Sequence, residues 1–300
     1  MKLDIMLPFW GSPDYLFETV ESVLAQDCDG WRLVVVDDRY PDERVAAYFA
    51  ELHHPRVHYI RNEKNLGITE NYERCLELAE SEYMMFLGCD DIMQPHYVST
   101  ILAAIERAPG IDIIQPGVQT IGAQGEPVRA LGDRIKSFLR PSTPDGPRII
   151  SGEGAATTLL TGDWLYWPSL TFRTAVLRAT PFREGFPLIQ DLGVVIDILA
   201  AGGRILVEPT VCFSYRRHES SASGSKLMDG SRFADERRYF ALASEAMRAN
   251  GWRLASRAAR LHATSRLYAA SLIPKAIITR DGRSFKELSR HIFSNPLSRR

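Results

Sequence analysis

Tyr83-Met84-Met85-Phe86-Leu87-Gly88-Cys89-Asp90-Asp91 is five apolar residues running without interruption into a glycine, a cysteine and two adjacent carboxylates. A short unbroken apolar run closed by a turn signal reads as a strand covered on both faces, the pattern of parallel sheets. Two segments nearer the N-terminus are built the same way. Residues 3–7 pass into Pro8-Phe9-Trp10-Gly11-Ser12, and residues 31–36 pass into Asp37-Asp38. Further strands are expected at 57–61 and 111–115. Between the first two, Ser12 is placed to cap a helix with Pro13 at its first position, and Leu16, Val20, Val23 and Leu24 recur at helical spacing. Helices are expected at 42–52, 68–79 and 95–108. Strands alternating with helices predict an α/β domain around a mostly parallel sheet.

In such sheets ligands gather outside the carboxyl ends of the strands. Residues 8–10, Asp37-Asp38 and 88–91 each lie just past a strand, so the fold would bring them together. Adjacent carboxylates at Asp90-Asp91 suit Mg²⁺ or Mn²⁺ bridging a diphosphate, and suit a turn with a helix cap equally well. Asp37-Asp38 is either a polar contact for a base or ribose, or another turn. Trp10 is either a stacking face for a base or a core residue.

After residue 118 the alternation fades. Residues 119–160, rich in Gly, Pro and Arg, read as a connection with a loop over the site. Strand patterning resumes at 171–177 and 205–215, with a helix expected from 190 to 201, ended by Gly202-Gly203. Residues 219–225 are small and polar enough for a loop, and from 233 onward the chain reads as helices broken near Pro274 and Asp281-Gly282.

Taken in order, Leu7-Pro8-Phe9-Trp10 through Gln26, Val34-Val35-Val36-Asp37-Asp38, Asn65-Leu66-Gly67 with Asn71, and Phe86 to Asp91 resemble the GT-A fold family 2 glycosyltransferases. The likeness covers about residues 3 to 225. It implies a GT-A, Rossmann-like nucleotide-sugar-binding domain at 1–230, divided into a nucleotide-binding half (1–118) and an acceptor-binding half (119–230), followed by a basic helical region at 231–300.

By the same resemblance, Trp10 stacks on the base, Asp38 bonds it, and Pro8 and Phe9 shape its pocket. Asn65, Gly67, Asn71, Cys89 and Asp90 join them as donor-binding residues. The family's metal motif reads Asp-X-Asp-Asp; here Gly88 stands in the first place, which leaves Asp90 as the main ligand and Asp91 as a second. The segment ending Gln190-Asp191 resembles the family's Glu-Asp, with Gln190 substituted and Asp191 retained as the expected catalytic base. Without the resemblance, Asp191 reads equally as a helix N-cap. Tyr215-Arg216-Arg217-His218, with Ser220, Ser221 and Ser223, resembles the family's Tyr-Arg-x-His loop; His218 would complete the metal shell or contact the diphosphate, and Arg216 or Arg217 would offset leaving-group charge. Trp164, Tyr166 and Trp167 are either core or a platform for the apolar face of an acceptor sugar.

The implied activity is an inverting transfer from a nucleotide-diphosphate sugar, most often a UDP-sugar, to a saccharide or lipid-linked saccharide in cell-surface polysaccharide synthesis, with Mn²⁺ or Mg²⁺ as cofactor. Because Gly88 and Gln190 both replace acids, a catalytically weak nucleotide-sugar-binding subunit is the competing reading. A nucleotidyltransferase is disfavoured by the absence of a GxxxxGK[ST] loop.

The net charge of −1 gives no sign of a polyanion such as nucleic acid as partner. The average conceals an asymmetry. Residues 251–300 carry eleven Lys or Arg against two acids, a net of +9, so the first 250 residues sum to −10. The basic segment would dock either on the catalytic domain or on an anionic membrane surface. Cys28, Cys75, Cys89 and Cys212 show neither metal spacing nor a CxxC pair, which suits a reducing compartment. With no apolar stretch of membrane-spanning length, the expected location is cytoplasmic, or peripheral at the inner membrane face.

Overall fold

The structure, a computed structural model, describes residues 2–183, 185–186, 189–218, 231–279 and 281–293. The expected loop at 219–225, with Ser220, Ser221 and Ser223, lies outside the described residues, as does Arg280.

Strands β1 (Leu3–Phe9), β2 (Trp31–Asp37), β3 (Val57–Arg61) and β4 (Tyr83–Phe86) pair in parallel in the order β3-β2-β1-β4. Their side chains alternate between two cores. Met6, Val34, Val36, Met84 and Phe86 face one, and Leu3, Ile5, Leu7, Leu33, Val35 and Met85 face the other. This period of two is why the strands read as unbroken apolar runs: both faces are covered. Helices α1 (Pro13–Leu24), α2 (Arg44–Glu51), α3 (Ile68–Leu78) and α4 (Tyr97–Arg107) follow, close to the expected bounds. Ser12 holds the N-cap position before Pro13, but its side chain makes no capping bond. One buried acid inside β1 supports the sheet from its other end. Asp4 accepts bonds from Arg32 (2.7 and 3.0 Å) and from the Ser81 amide (2.9 Å). Burial would raise its pKa, but these donors outweigh it and hold the carboxyl below the usual value.

The sheet continues through β8 (Thr171–Arg173), β6 (Ile113–Ile121), β9 (Arg204–Arg216) and the two-residue β5 (Ile92–Met93), with β7 (Arg148–Ser151) also on β9. Strands β8, β5 and β7 pair antiparallel to their neighbours, so the second half of the sheet is mixed. Several expectations are corrected here. Strand β6 runs through Pro116-Gly117, a pair that reads as a stop, because the ladder with β9 bulges there. At Gly117 a Cβ would stand 2.7 Å from the carbonyl oxygens of Pro209 and Thr210, so only glycine allows the two strands to meet. The connection at 119–160 contains α5 (Leu131–Leu139), β7 and α6 (Gly152–Thr161). The expected strand at 171–177 is β8 followed by the short helix α7 (Thr174–Arg178).

Helix α8 (Gln190–Ala200) ends at Gly202, whose φ of +93° requires glycine. The C-terminal region is helical: α9 (Ser231–Ala249), α10 (Arg253–Leu261), α11 (Ala263–Ile278) and α12 (Gly282–Phe293). Helix α11 continues through Pro274 instead of breaking there, and Asp281 accepts the Ser284 amide at 3.0 Å to start α12. Tyr239, Phe240, Ala243 and Met247 of α9, with Ala255, Ala258 and Ala259 of α10, join the core around Ala155, Ala156 and Leu159 of α6. Helices α11 and α12 share a separate small core with Phe233. Among the described residues no helix is long and apolar enough to cross a membrane.

Candidate active site

The three strand ends converge as expected. Cys89 lies under the end of β1, so close that a Cβ on Gly11 would stand 3.0 Å from its sulfur, and burial raises its thiol pKa. It is a packing contact and no nucleophile. Phe9 is fully buried and touches Tyr40 edge-on at 5.2 Å, so it supports the pocket from below and does not line it, a correction to its expected role. Trp10 is 54% exposed and meets the other side of Tyr40 at 5.3 Å and 81°, leaving an open indole face at the sheet edge. Pro8 is half-buried, paired with Val36.

Asp38 is turned inward. Its buried carboxylate accepts the amides of Leu66 (2.7 Å) and Gly67 (2.8 Å) and the side-chain amide of Asn62 (2.9 Å). Asn62 also bonds Asn71 at 3.0 Å, and Asn71 donates to the Val36 carbonyl at 3.1 Å. Asp38 and Asn71 therefore anchor the loop that carries exposed Asn65 and, at Gly67 (φ +84°), the start of α3. They position the pocket wall where direct contacts were expected. Asn62 carried no sequence signal of its own; only the fold places it between them.

The acidic motif is clamped from two sides. Thr19 of α1 donates to the Asp91 carbonyl (2.8 Å), and Arg216 Nε donates to the Asp90 carbonyl (2.7 Å). The buried Arg216 guanidinium also binds Glu18 (2.6 Å) and the Ala123 carbonyl (2.9 Å) and lies 4.6 Å over the Tyr15 ring. With its nitrogens so engaged, Arg216 orients the motif and is not a diphosphate contact, which corrects its expected role. Tyr15, Glu18 and Thr19 share one face of α1 at i, i+3 and i+4, a signal legible in the sequence but not read from it. Arg217 points the other way, to Asp133 of α5 at 2.9 Å.

His218 Nε2 lies 2.6 Å from Asp90 Oδ2, with side-chain exposures of 11% and 27%. Asp91 accepts the Arg216 amide on Oδ1 (2.8 Å), whereas its buried Oδ2 has no hydrogen-bond partner among the described residues. Burial, reinforced by the Asp90 charge, pushes the Asp91 carboxyl well above the usual carboxylate range. Gly88 explains this arrangement: a Cβ there would stand 2.4 Å from Asp91 Oδ2 and 3.2 Å from Asp90 Oδ1. Both carboxylates fold over the bare Cα of Gly88, in space that the family's first aspartate would need.

No three His, Cys, Asp or Glu side chains among the described residues gather into a complete metal cage. Asp90 and His218 nonetheless fit a divalent cation that keeps open positions for phosphate oxygens, being one hard oxygen and one imidazole nitrogen in contact, beside a buried carboxylate oxygen that lacks a donor.

Asp191 stands in the first turn of α8, with Oδ1 accepting the Leu192 amide at 2.7 Å. It is half-buried. Gln190 donates to Thr69 of α3 at 2.6 Å and ties the start of α8 to the start of α3. Burial raises the pKa of the Tyr72 hydroxyl. Tyr72 packs on Phe86, Trp167 and Phe182. Of the expected acceptor platform, Trp164 is buried and, with Tyr166, lines a cavity under α5, while Trp167 is half-buried and stacked on Phe86 at 5.7 Å.

Residues 4–152 match the sequence profile of glycosyl transferase family 2. The chain belongs to this family. WcaA of Escherichia coli, named as a colanic acid biosynthesis glycosyl transferase, is 31% identical over 34% of this chain and 37% of its own length. An uncharacterised protein of Mycobacterium tuberculosis is 29% identical over 75% of this chain and 70% of its own. The fold matches residues 1–349 of Staphylococcus aureus TarS, solved with UDP-GlcNAc, at a TM-score of 0.70 and 15% identity, over 97% of this chain and 82% of that one. The family 2 chain described here is thus a GT-A fold followed by helices.

Proposed function

We propose that this chain is an inverting glycosyltransferase of surface-polysaccharide synthesis, moving a sugar from a UDP-sugar to a hydroxyl of a saccharide or lipid-linked saccharide. The observation that carries the reading is the 2.6 Å contact of Asp90 and His218, held over Gly88 by Arg216 and Thr19 at the meeting point of three strand ends. Trp10 offers its exposed face to the base, and the loop pinned by Asp38 borders the ribose. Asp90 and His218 would hold Mn²⁺ or Mg²⁺, which would supply positive charge against that of the departing diphosphate. Asp191 accepts the proton of the acceptor hydroxyl as that oxygen bonds to the anomeric carbon and the bond to the diphosphate breaks, with inversion. The names of WcaA and of TarS bound to UDP-GlcNAc support the polysaccharide context and the nucleotide.

In this reading residues 1–230 are the catalytic domain, and 231–300 attach it to the inner face of an anionic membrane from the cytoplasm. Helices α11 and α12 expose Leu267, Ile277, Ile278 and Phe293 as well as Lys286 and Arg290, the apolar and basic side chains that anionic lipid binds. The test of activity is acceptor-dependent release of UDP from a panel of UDP-sugars. Release from one sugar supports the reading, and none from any sugar contradicts it.

A further inference from the structure

A cavity of about 620 Å³ lies between α5 and strand β6, a volume suited to a sugar or a small oligosaccharide. Its charge runs against that of the body around it. Arg129, Arg134, Lys136 and Arg140 line it, while the first 250 residues carry a net charge of −10 (−1 overall less +9 in the last fifty). Asp133, an acid in its wall, is already occupied. It accepts Arg217 (2.9 Å) and the Tyr166 hydroxyl (2.9 Å), and these bonds outweigh burial to hold its pKa low.

Among the described residues, two of the four cations are not neutralised from inside. Arg129 and Arg134 make no ion pair among the described residues. Arg140 donates to a backbone carbonyl, that of Glu208 (2.6 Å), while its buried Nε has no partner among the described residues. Lys136 donates to the Leu165 carbonyl and stands 3.9 Å from Asp163. Apolar surface for a sugar face is also present in Phe138, exposed at the rim, while the Tyr166 ring carries Lys136 Nζ at 4.7 Å.

The cavity is linked to the reaction centre through the chain. Arg217, bonded to its wall at Asp133, is followed directly by His218 on Asp90. Tyr166, inside it, is followed by Trp167, which packs on Phe86 and Tyr72.

We propose that this cavity is the acceptor subsite and that it selects a saccharide bearing an oxyanion, a carboxylate or a phosphate, which the arginines bind by paired charge-assisted hydrogen bonds. The proposal rests on the glycosyltransferase reading, and its test separates the two. Full-length protein with UDP and Mg²⁺ is titrated with glucuronic acid, glucose 1-phosphate and glucose, and saturation transfer to each sugar is followed by NMR while UDP binding is recorded in the same sample. One anion, or both, is expected to bind at least tenfold more tightly than glucose; which one does names the oxyanion. Arg134→Ala, at an exposed position, and Arg140→Gln should each lower that binding severalfold with UDP binding intact. Glucose binding as well as the anions, no anion binding in the wild type, or unchanged anion binding in Arg134→Ala overturns the proposal. Loss of UDP binding in the wild type would instead contradict the donor site and leave the anion result standing.

Discussion

Gly88 and Asp91 share one space: the Asp91 Oδ2 atom sits 2.4 Å from where a Gly88 Cβ would be. Because Asp91 is also fixed through Oδ1 by the Arg216 amide, its carboxylate cannot swing clear without breaking a buried bond. Gly88→Ala is expected to destabilise the fold by about 1–3 kcal/mol, the usual cost of overpacking. Gly88→Asp, which restores the family's first acid, should destabilise it more, since it adds a third carboxylate to the turn. Urea denaturation measures both, and a Gly88→Asp protein as stable as wild type would show that Asp91 is free to move.

Asp191 is assigned the proton, so its removal should separate chemistry from binding. Asp191→Asn is predicted to lower kcat by about 10²–10⁴ while leaving UDP affinity within about twofold. Turnover at the wild-type rate would remove Asp191 as the base.

The C-terminal helices contain two buried histidines, His262 and His291, with rings 5.1 Å apart. Burial, and then the neighbouring His262 and Arg237, depress His291 to about 3, from about 6.5 for a free histidine. Its unfolded form thus takes up a proton first as the pH falls. The stability it contributes is complete above about 6.5 and is lost as the pH drops towards 3, by at most about 1.4 kcal/mol per pH unit. Chemical denaturation at pH 7 and pH 5 should show the loss, and His291→Gln should reduce it. An identical pH dependence in that variant would mean that His291 is already charged in the fold.

Membrane attachment by α11 and α12 predicts that Lys286→Glu with Arg290→Glu abolishes co-flotation with vesicles containing anionic lipid. At about 1 kcal/mol per cation near the surface, losing both lowers the partition coefficient about 30-fold. Equal flotation of wild type and variant would leave the exposed apolar face without this role.

The first four strands and helices were legible because each strand is covered on both sides and each helix on one, so periodicity alone records them. Strand β6 was not, since Pro116-Gly117 signals a turn while the bulge against Pro209 and Thr210 exists only in the folded pair. Asp90 with His218 could be expected from motif order, and the fold brings them into contact. The inward turn of Asp38 and Asn71, and the engagement of Arg216 by Glu18, were hidden because they depend on partners tens to hundreds of residues away. The two departures from the family pattern also needed coordinates: Gly88 makes room for Asp91, and Gln190 reaches Thr69.

The central claim is a metal-assisted nucleotide site at Asp90 and His218. Thermal unfolding of wild type, Asp90→Ala and His218→Ala with UDP, GDP and CDP, each with and without Mn²⁺, tests it most directly. A rise in Tm with UDP that needs Mn²⁺ and disappears in both variants is the predicted result. A rise of equal size without metal, or one retained in Asp90→Ala, would contradict it.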